Sequence, residues 1–194
     1  MRFNIIKVGA ELADEILGLE TLCFSMPHSR EGLLRELQSD SNITLAAVCP
    51  ATEDTAYPAT ENIVCPATEN IVCPTDRISS AVRSRCSRAE RASGYRFAGF
   101  IGMNHVLDEG YIGNVAVYPE FRRLGIGRAL VEAMTAEAEK LGLSFLTLEV
   151  RESNAAARTL YGKCGYRDVS VLKNYYQKPK ENGVIMTLSL AQED

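Results

Sequence analysis

The chain has 194 residues, 46% of them hydrophobic, and a formal net charge of −4. That length supports one sizeable core, and a charge so near balance argues against strong nucleic-acid binding. No run approaches the roughly 20 apolar residues of a membrane span, and charges break the opening M-R-F-N-I-I-K-V too early for a signal peptide, so a cytoplasmic protein with no membrane partner is expected.

Residues 3–8 read as a strand. Leu12, Ile16, Leu19 and Cys23 follow at spacings of three and four, which predicts a helix. In F-S-M-P-H-S, Pro27 breaks that helix and Ser29 can cap a second one carrying Leu33, Leu34 and Leu37. Residues 43–48 form a short apolar run typical of a buried strand. Next, P-A-T-E-N-I-V-C occurs twice in tandem, at 58–65 and 66–73, after a degenerate copy at 50–57. A proline in each unit breaks both helix and ladder, so 49–94 reads as a low-complexity insertion, largely disordered or loosely looped. Its second half carries Arg77, Arg83, Arg85, Arg88 and Arg91. These read as a solvated linker or, alternatively, as an electrostatic contact for RNA or an acidic partner.

Regular patterning resumes with a hairpin over 97–106 and 111–117. Ile126, Ala129, Leu130, Ala133, Met134, Ala138 and Leu141 share one helix face, and Gly142 can end that helix. A strand is expected at 145–150, a helix at 154–163 closed by Gly165, and two final strands near 166–172 and 184–190. Without the insertion about 150 residues remain, which suits one α/β domain with helices flanking a central mixed sheet.

The six cysteines are Cys23, Cys49, Cys65, Cys73, Cys86 and Cys164, with no C-x-x-C pair; the histidines, His28 and His105, stand far from any cysteine pair. No metal site is expected, and reduced thiols are. Cys23 and Cys164 fall in apolar helical patterns and read as small core residues.

The strongest chemical signal is V-A-V-Y-P-E-F-R-R-L-G-I-G-R-A-L at 115–130. A strand ends, Pro119 turns the chain, and a loop with Gly125 and Gly127 opens a helix. Backbone amides and the helix N-terminus can converge on an anion there, and Arg122, Arg123 and Arg128 add full charges. The implied ligand is a phosphate or pyrophosphate. It is neither a P-loop, because no G-K-[ST] follows, nor a Rossmann fingerprint, because the third glycine is missing.

R-R-L-G-I-G instead resembles the pyrophosphate-binding motif of the GNAT acetyltransferases. L-E-V-R-E-S-N-A-A-A-R-T-L-Y-G-K-C-G-Y at 148–166, K-N-Y-Y at 173–176, I-M-T-L at 185–188 and C-F-S-M-P near the start are similar to the ribosomal-protein-alanine N-acetyltransferase branch. The resemblance covers nearly the whole chain except 49–94. It implies a single GNAT domain over 1–194 with a twisted, mostly antiparallel mixed sheet, acetyl-CoA as co-substrate and no metal. The implied acceptor is a protein N-terminus, above all the N-terminal alanine of a ribosomal protein, and a monomer is favoured. His28 stands where that branch usually has tryptophan, beside the expected peptide groove. Tyr166 replaces a phenylalanine, and Asn182-Gly183 replaces an acidic residue and an alanine.

By the same resemblance, Arg122, Arg123, Leu124, Gly125, Ile126, Gly127 and Arg128 hold the pyrophosphate. The backbone of Val115, Ala116 and Val117, together with Asn154, holds the pantetheine arm; Asn154 and Ser153 also read as helix N-caps. An amine attacks a thioester as its free base, so a carboxylate is needed nearby. Glu149, at the end of a central strand, is the candidate, unless it pairs with a neighbour such as Arg151. Tyr161 is the candidate acid for the departing thiolate, unless it is a core tyrosine sharing its face with Ala157 and Cys164. No histidine accompanies Cys164, so direct transfer in a ternary complex is expected rather than an acyl-enzyme. Two other readings stay open: acetylation of a small amine, polyamine or lysine side chain, and a catalytically silent acetyl-CoA-binding module. The second sits poorly with the presence of both Glu149 and Tyr161.

Overall fold

The structure, a computed structural model, describes residues 2–50 and 94–190. The chain opens with β1 (Asn4–Val8), a 3-10 turn at Ala10–Leu12 and α1 (Ala13–Cys23). It continues through α2 (Arg30–Leu37), β2 (Asn42–Pro50), β3 (Tyr95–Val106) and β4 (Glu109–Val117). The second half holds α3 (Ile126–Lys140), β5 (Phe145–Arg151), α4 (Ala155–Lys163), β6 (Arg167–Gln177) and β7 (Lys180–Ser189). Local chemistry sets several of these boundaries. Ser29 Oγ accepts the Gly32 N–H at 3.1 Å and starts α2. Gly125, at φ 86°, turns the chain into α3 through a left-handed conformation that costs glycine little.

Among the described residues the seven strands form one sheet in the order β1-β2-β3-β4-β5-β7-β6. Every neighbouring pair is antiparallel except β4–β5, which is parallel. This is the mixed, mostly antiparallel sheet expected. Helices cover both faces. On one face α3 buries Ile126, Leu130 and Met134 against Leu45, Ile101, Leu146 and Leu148. On the other, α1 and α2 bury Ile16, Leu19 and Leu33 against Ala46, Phe97 and Phe100. Helices on both faces explain why β2 is buried without alternation from Ile43 to Cys49, Thr44 being its polar member.

The structure corrects several expectations. Cys49 and Pro50 belong to β2, not to the insertion: Cys49 is 1% exposed in the core, and Pro50 pairs with Tyr95 across the β2–β3 ladder. Burial pushes the Cys49 thiol up to about 12 despite the nearby Arg96. Cys23 and Cys164 are half-buried at the edges of the packing rather than core residues. The octapeptide repeats and the arginine cluster lie outside the described residues. The closing strands run longer than the apolar pattern suggests, so K-N-Y-Y lies within β6 and Asn182-Gly183 within β7. Those stretches are polar, and pairing rather than periodicity makes them strands.

Gly99 of β3 packs against the end of β4, where an added Cβ would lie 2.5 Å from the Ala116 carbonyl oxygen and 3.1 Å from Val117 Cα. Both neighbours are backbone and cannot swing away. Gly99→Ala is expected to lower stability by about 1–3 kcal/mol. Urea unfolding with an unchanged midpoint would contradict this packing.

Candidate active site

The cleft begins where two strands part. β4 and β5 pair from Glu109↔Phe145 to Ile112↔Leu148. At the same point the β3–β4 register jumps from Gly102↔Asn114 to Met103↔Ile112, which leaves Gly113 as an extra, bulged residue. A bulge bends and twists its strand. Beyond it β4 stays on β3, whereas β5 stays on β7 through Glu149↔Ile185. The facing edges at 114–117 and 149–151 thus carry backbone N–H and C=O groups that an extended ligand arm can pair with. Val115, Ala116 and Val117 lie on this edge, with Ala116 buried and Val115 and Val117 packed partly against the α3 core.

At the end of β4 the chain passes through a 3-10 turn at Pro119–Phe121 into the glycine loop. Arg122 folds back: its Nε donates to the Val117 carbonyl at 3.0 Å and an Nη lies 3.5 Å from Cys23 Sγ. Its side chain therefore props the loop, and its direct value to an anion rests on its backbone. Arg123, at φ 63°, is exposed, while Leu124 and Ile126 pack into the core and anchor the loop. The α3 helix starts without a side-chain cap. Helix geometry gives Ile126, Gly127 and Arg128 no intrahelical acceptor, so three N–H groups open together at the positive end of a 15-residue helix. Arg128 Nε lies 2.7 Å from Glu132, so its charge is shared. An added Cβ at Gly127 would meet Leu160 of α4 at 3.3 Å, which makes the close approach of α3 and α4 a second reason for glycine there.

Glu149 is half-buried on the sheet face opposite Leu148 and Val150. Its Oε2 accepts a short hydrogen bond from the Tyr111 hydroxyl. Burial pushes the Tyr111 phenol well up, and the hydrogen bond and charge of Glu149 add to the shift. Tyr111 escaped the sequence reading because only the β4–β5 register brings it beside Glu149; its own partner in that register is Thr147. Arg151 is not the partner of Glu149. It lies 3.3 Å from Glu181, donates to the carbonyls of Lys178 and Pro179, and stacks 4.2 Å over the Tyr176 ring.

Tyr161 is 8% exposed on α4, and its ring lies 5.9 Å from that of Tyr166. Burial, reinforced by Tyr176 and Cys164, pushes its phenol up to about 12, so it keeps a proton to donate across the neutral range. Tyr176 lies within electrostatic reach of both Tyr161 and Glu149. Burial raises the Cys164 thiol, with Glu132 adding and Arg128 opposing, which is the wrong direction for a nucleophile. Asn154 caps α4, its Oδ1 accepting the Ala157 N–H at 3.1 Å. Ser153, the other candidate cap, instead donates its backbone N–H to Glu181. The ring nitrogens of His28 lie 3.0 Å from Glu20 and 3.3 Å from Glu36.

This arrangement suits proton transfer at a carboxylate beside a loop open to an anion. The chain is 42% identical over 98 residues to the [Ribosomal protein bS18]-alanine N-acetyltransferase of Escherichia coli strain K12, a match covering 50% of this chain and 66% of that protein. It is 43% identical over 72 residues to an N-alpha-acetyltransferase of Sulfurisphaera tokodaii, covering 37% of this chain and 43% of that one. The crystal structure of the Escherichia coli ribosomal-protein-S18-alanine N-acetyltransferase superposes with a TM-score of 0.69 at 24% identity, covering 99% of this chain and 96% of that one. Arabidopsis thaliana NAA60 in complex with a bisubstrate analogue superposes with a TM-score of 0.70 at 14% identity, covering 97% and 99%. These likenesses in structure speak for the fold. The model of the acetyltransferase (GNAT) family matches residues 68–166, over half of the sequence, and the chain belongs to that family.

Proposed function

We propose that this enzyme transfers acetyl from acetyl-CoA to the N-terminal α-amine of a protein, that of an alanine on a ribosomal protein, by direct attack in a ternary complex. The observation that carries the reading is the parting of β4 from β5 with Glu149 at its edge and the α3 N-terminus at its end. The names of the two sequence relatives, both acetyltransferases and one acting on ribosomal protein bS18, support the acceptor. A cytoplasmic site of action goes with this reading.

The residues present fit acetyl-CoA. The N–H groups of Ile126, Gly127 and Arg128, with Arg123 nearby, would take the pyrophosphate. The open edge at Val115, Ala116 and Val117 would take the amide-bearing arm, with the Asn154 Nδ2 left over from capping as a further donor. Acetyl-CoA supplies an acyl group already activated as a thioester. Glu149, oriented by Tyr111, accepts the proton of the incoming ammonium or amine. An α-amine titrates near ~8, against ~10.4 for lysine, so a single carboxylate suffices at neutral pH. Tyr161 gives its proton to the departing sulfur.

Gly127→Asp sets a carboxylate at the helix N-terminus and against Leu160. It is expected to cost about 2 kcal/mol or more of acetyl-CoA affinity, roughly 30-fold in Kd. Calorimetry on the folded variant checks this; an unchanged Kd removes the loop from the cofactor site.

Glu149→Gln is expected to lower kcat by about 100-fold or more and to reshape the pH–rate profile while acetyl-CoA affinity holds. Tyr111→Phe should cost about tenfold, the worth of one hydrogen bond to a charged group. Because Tyr161 stays protonated up to about 12, Tyr161→Phe should slow the reaction by the same factor throughout the neutral range. Steady-state assays with an alanine-ended peptide, spermidine and a lysine peptide read all three variants and the acceptor class together. Wild-type rates in Glu149→Gln and Tyr161→Phe assign the protons to other groups, and preference for spermidine or lysine overturns the acceptor.

The insertion is proposed to be dispensable for chemistry. Its ends are tied together by Pro50↔Tyr95, and closure entropy grows only logarithmically with loop length. Replacing 51–93 by a short Gly-Asn turn should leave peptide acetylation intact. Loss of peptide activity in a folded, shortened protein would make the segment part of the site.

A further inference from the structure

Behind the open edge of β4 lies a fully buried carboxylate, Glu20 of α1. Its Oε1 accepts Asn114 Nδ2 at 2.7 Å and its Oε2 accepts the His28 backbone N–H at 3.0 Å. The His28 ring adds Nδ1, 3.0 Å from Oε1 and 3.1 Å from Oε2. On the far side of that ring, Nε2 lies 3.3 Å from Glu36 Oε2 of α2. Glu36 Oε1 in turn accepts from Asn42 of β2 and Asn104 of β3, each at 3.4 Å. The charged groups facing His28 are thus Glu20 from α1 and Glu36 from α2; β2, β3 and β4 present Asn42, Asn104 and Asn114 to the network, and these do not titrate.

The ring thus bridges α1 and α2, hydrogen-bonded to Glu20 through Nδ1 and 3.3 Å from Glu36 through Nε2. Removing it would leave the fully buried Glu20 with the Asn114 amide and the His28 backbone N–H as its remaining partners. Asn114 is the first residue past the Gly113 bulge, where β4 has lost its β5 partner, so the Glu20 hydrogen bond steadies a strand that the sheet no longer holds on that side.

We propose that His28 is a positioning residue for acetyl transfer: clamped between Glu20 and Glu36, it locks the α1–α2 turn onto Glu20, and Glu20 fixes Asn114 and the open stretch of β4. The kinetic part rests on the acetyl-transfer reading above; the coupling of His28 to Glu20 does not. His28 thereby shapes the acceptor side through the strand behind the cleft.

The test has two arms. In urea unfolding, His28→Gln and Glu20→Gln are expected to be coupled, the double variant losing clearly less than the sum of the two singles. In kinetics, His28→Gln should lower kcat/KM for an alanine-ended peptide about tenfold while the acetyl-CoA Kd holds, and Glu20→Gln on top of it should restore most of the loss. Additive losses in the double variant, in unfolding or in kinetics, overturn the proposal, as does an unchanged kcat/KM in His28→Gln. If wild type acetylates no peptide, the acceptor reading fails and the unfolding cycle still decides the clamp.

Discussion

Two parallel strands that pair for only four residues and then separate set the conditions for everything else in this molecule. The bulge at Gly113 bends β4 away while β7 holds β5 in place. A sheet that stayed zipped past Ile112↔Leu148 would have no free backbone edges, no gap beside Glu149 and no opening in front of α3. The bulge lets β4 keep its ladder to β3 while giving up its ladder to β5, so the cleft is gained without loosening the core on either face. Cores on both faces then hold the parted strands: α3 beneath one side, α1 and α2 above the other.

Two carboxylates flank the parted strands, and their surroundings give them different work. Glu149 is half-buried and its Oε2 accepts from a tyrosine hydroxyl, which leaves Oε1 without a side-chain donor among the described residues. Glu20 is fully buried, and its oxygens are occupied by an amide, a backbone N–H and an imidazole. A carboxylate with its acceptor sites filled orients its neighbours; one with a site to spare can take a proton. The tyrosines add a further constraint: burial keeps Tyr111 and Tyr176 near Glu149, and Tyr161 beyond Tyr176, in the phenol form, able to donate.

Two further features stand apart from the loop and the parting strands. The Glu20–His28–Glu36 bridge is one. Another is the segment between Pro50 and Tyr95, attached where β2 and β3 end side by side. Its attachment at paired strand ends lets a long stretch be added without moving either strand.

The sequence by itself determined the elements and the phosphate-type loop. Period-3.6 and period-2 apolar patterns are local, and so are caps such as Ser29 and breakers such as Pro27. A loop of R-x-x-G-x-G opening a helix carries its chemistry within a few residues. Glu149 and Tyr161 were legible as chemical groups for a similar reason, since their types and their places on a strand and the following helix are written in order along the chain. Tertiary structure decided which groups meet. Tyr111 reaches Glu149 from 38 residues away, and Asn114 reaches Glu20 from 94. Strand register sets the first contact and helix-on-sheet packing the second, and no local pattern encodes either. In sequence Arg122 reads as a charge for an anion and Arg151 as a possible partner of Glu149, yet one props the loop against Val117 and the other serves Glu181 and Tyr176. A long side chain can reach several partners, and only the packed surroundings decide which one it takes.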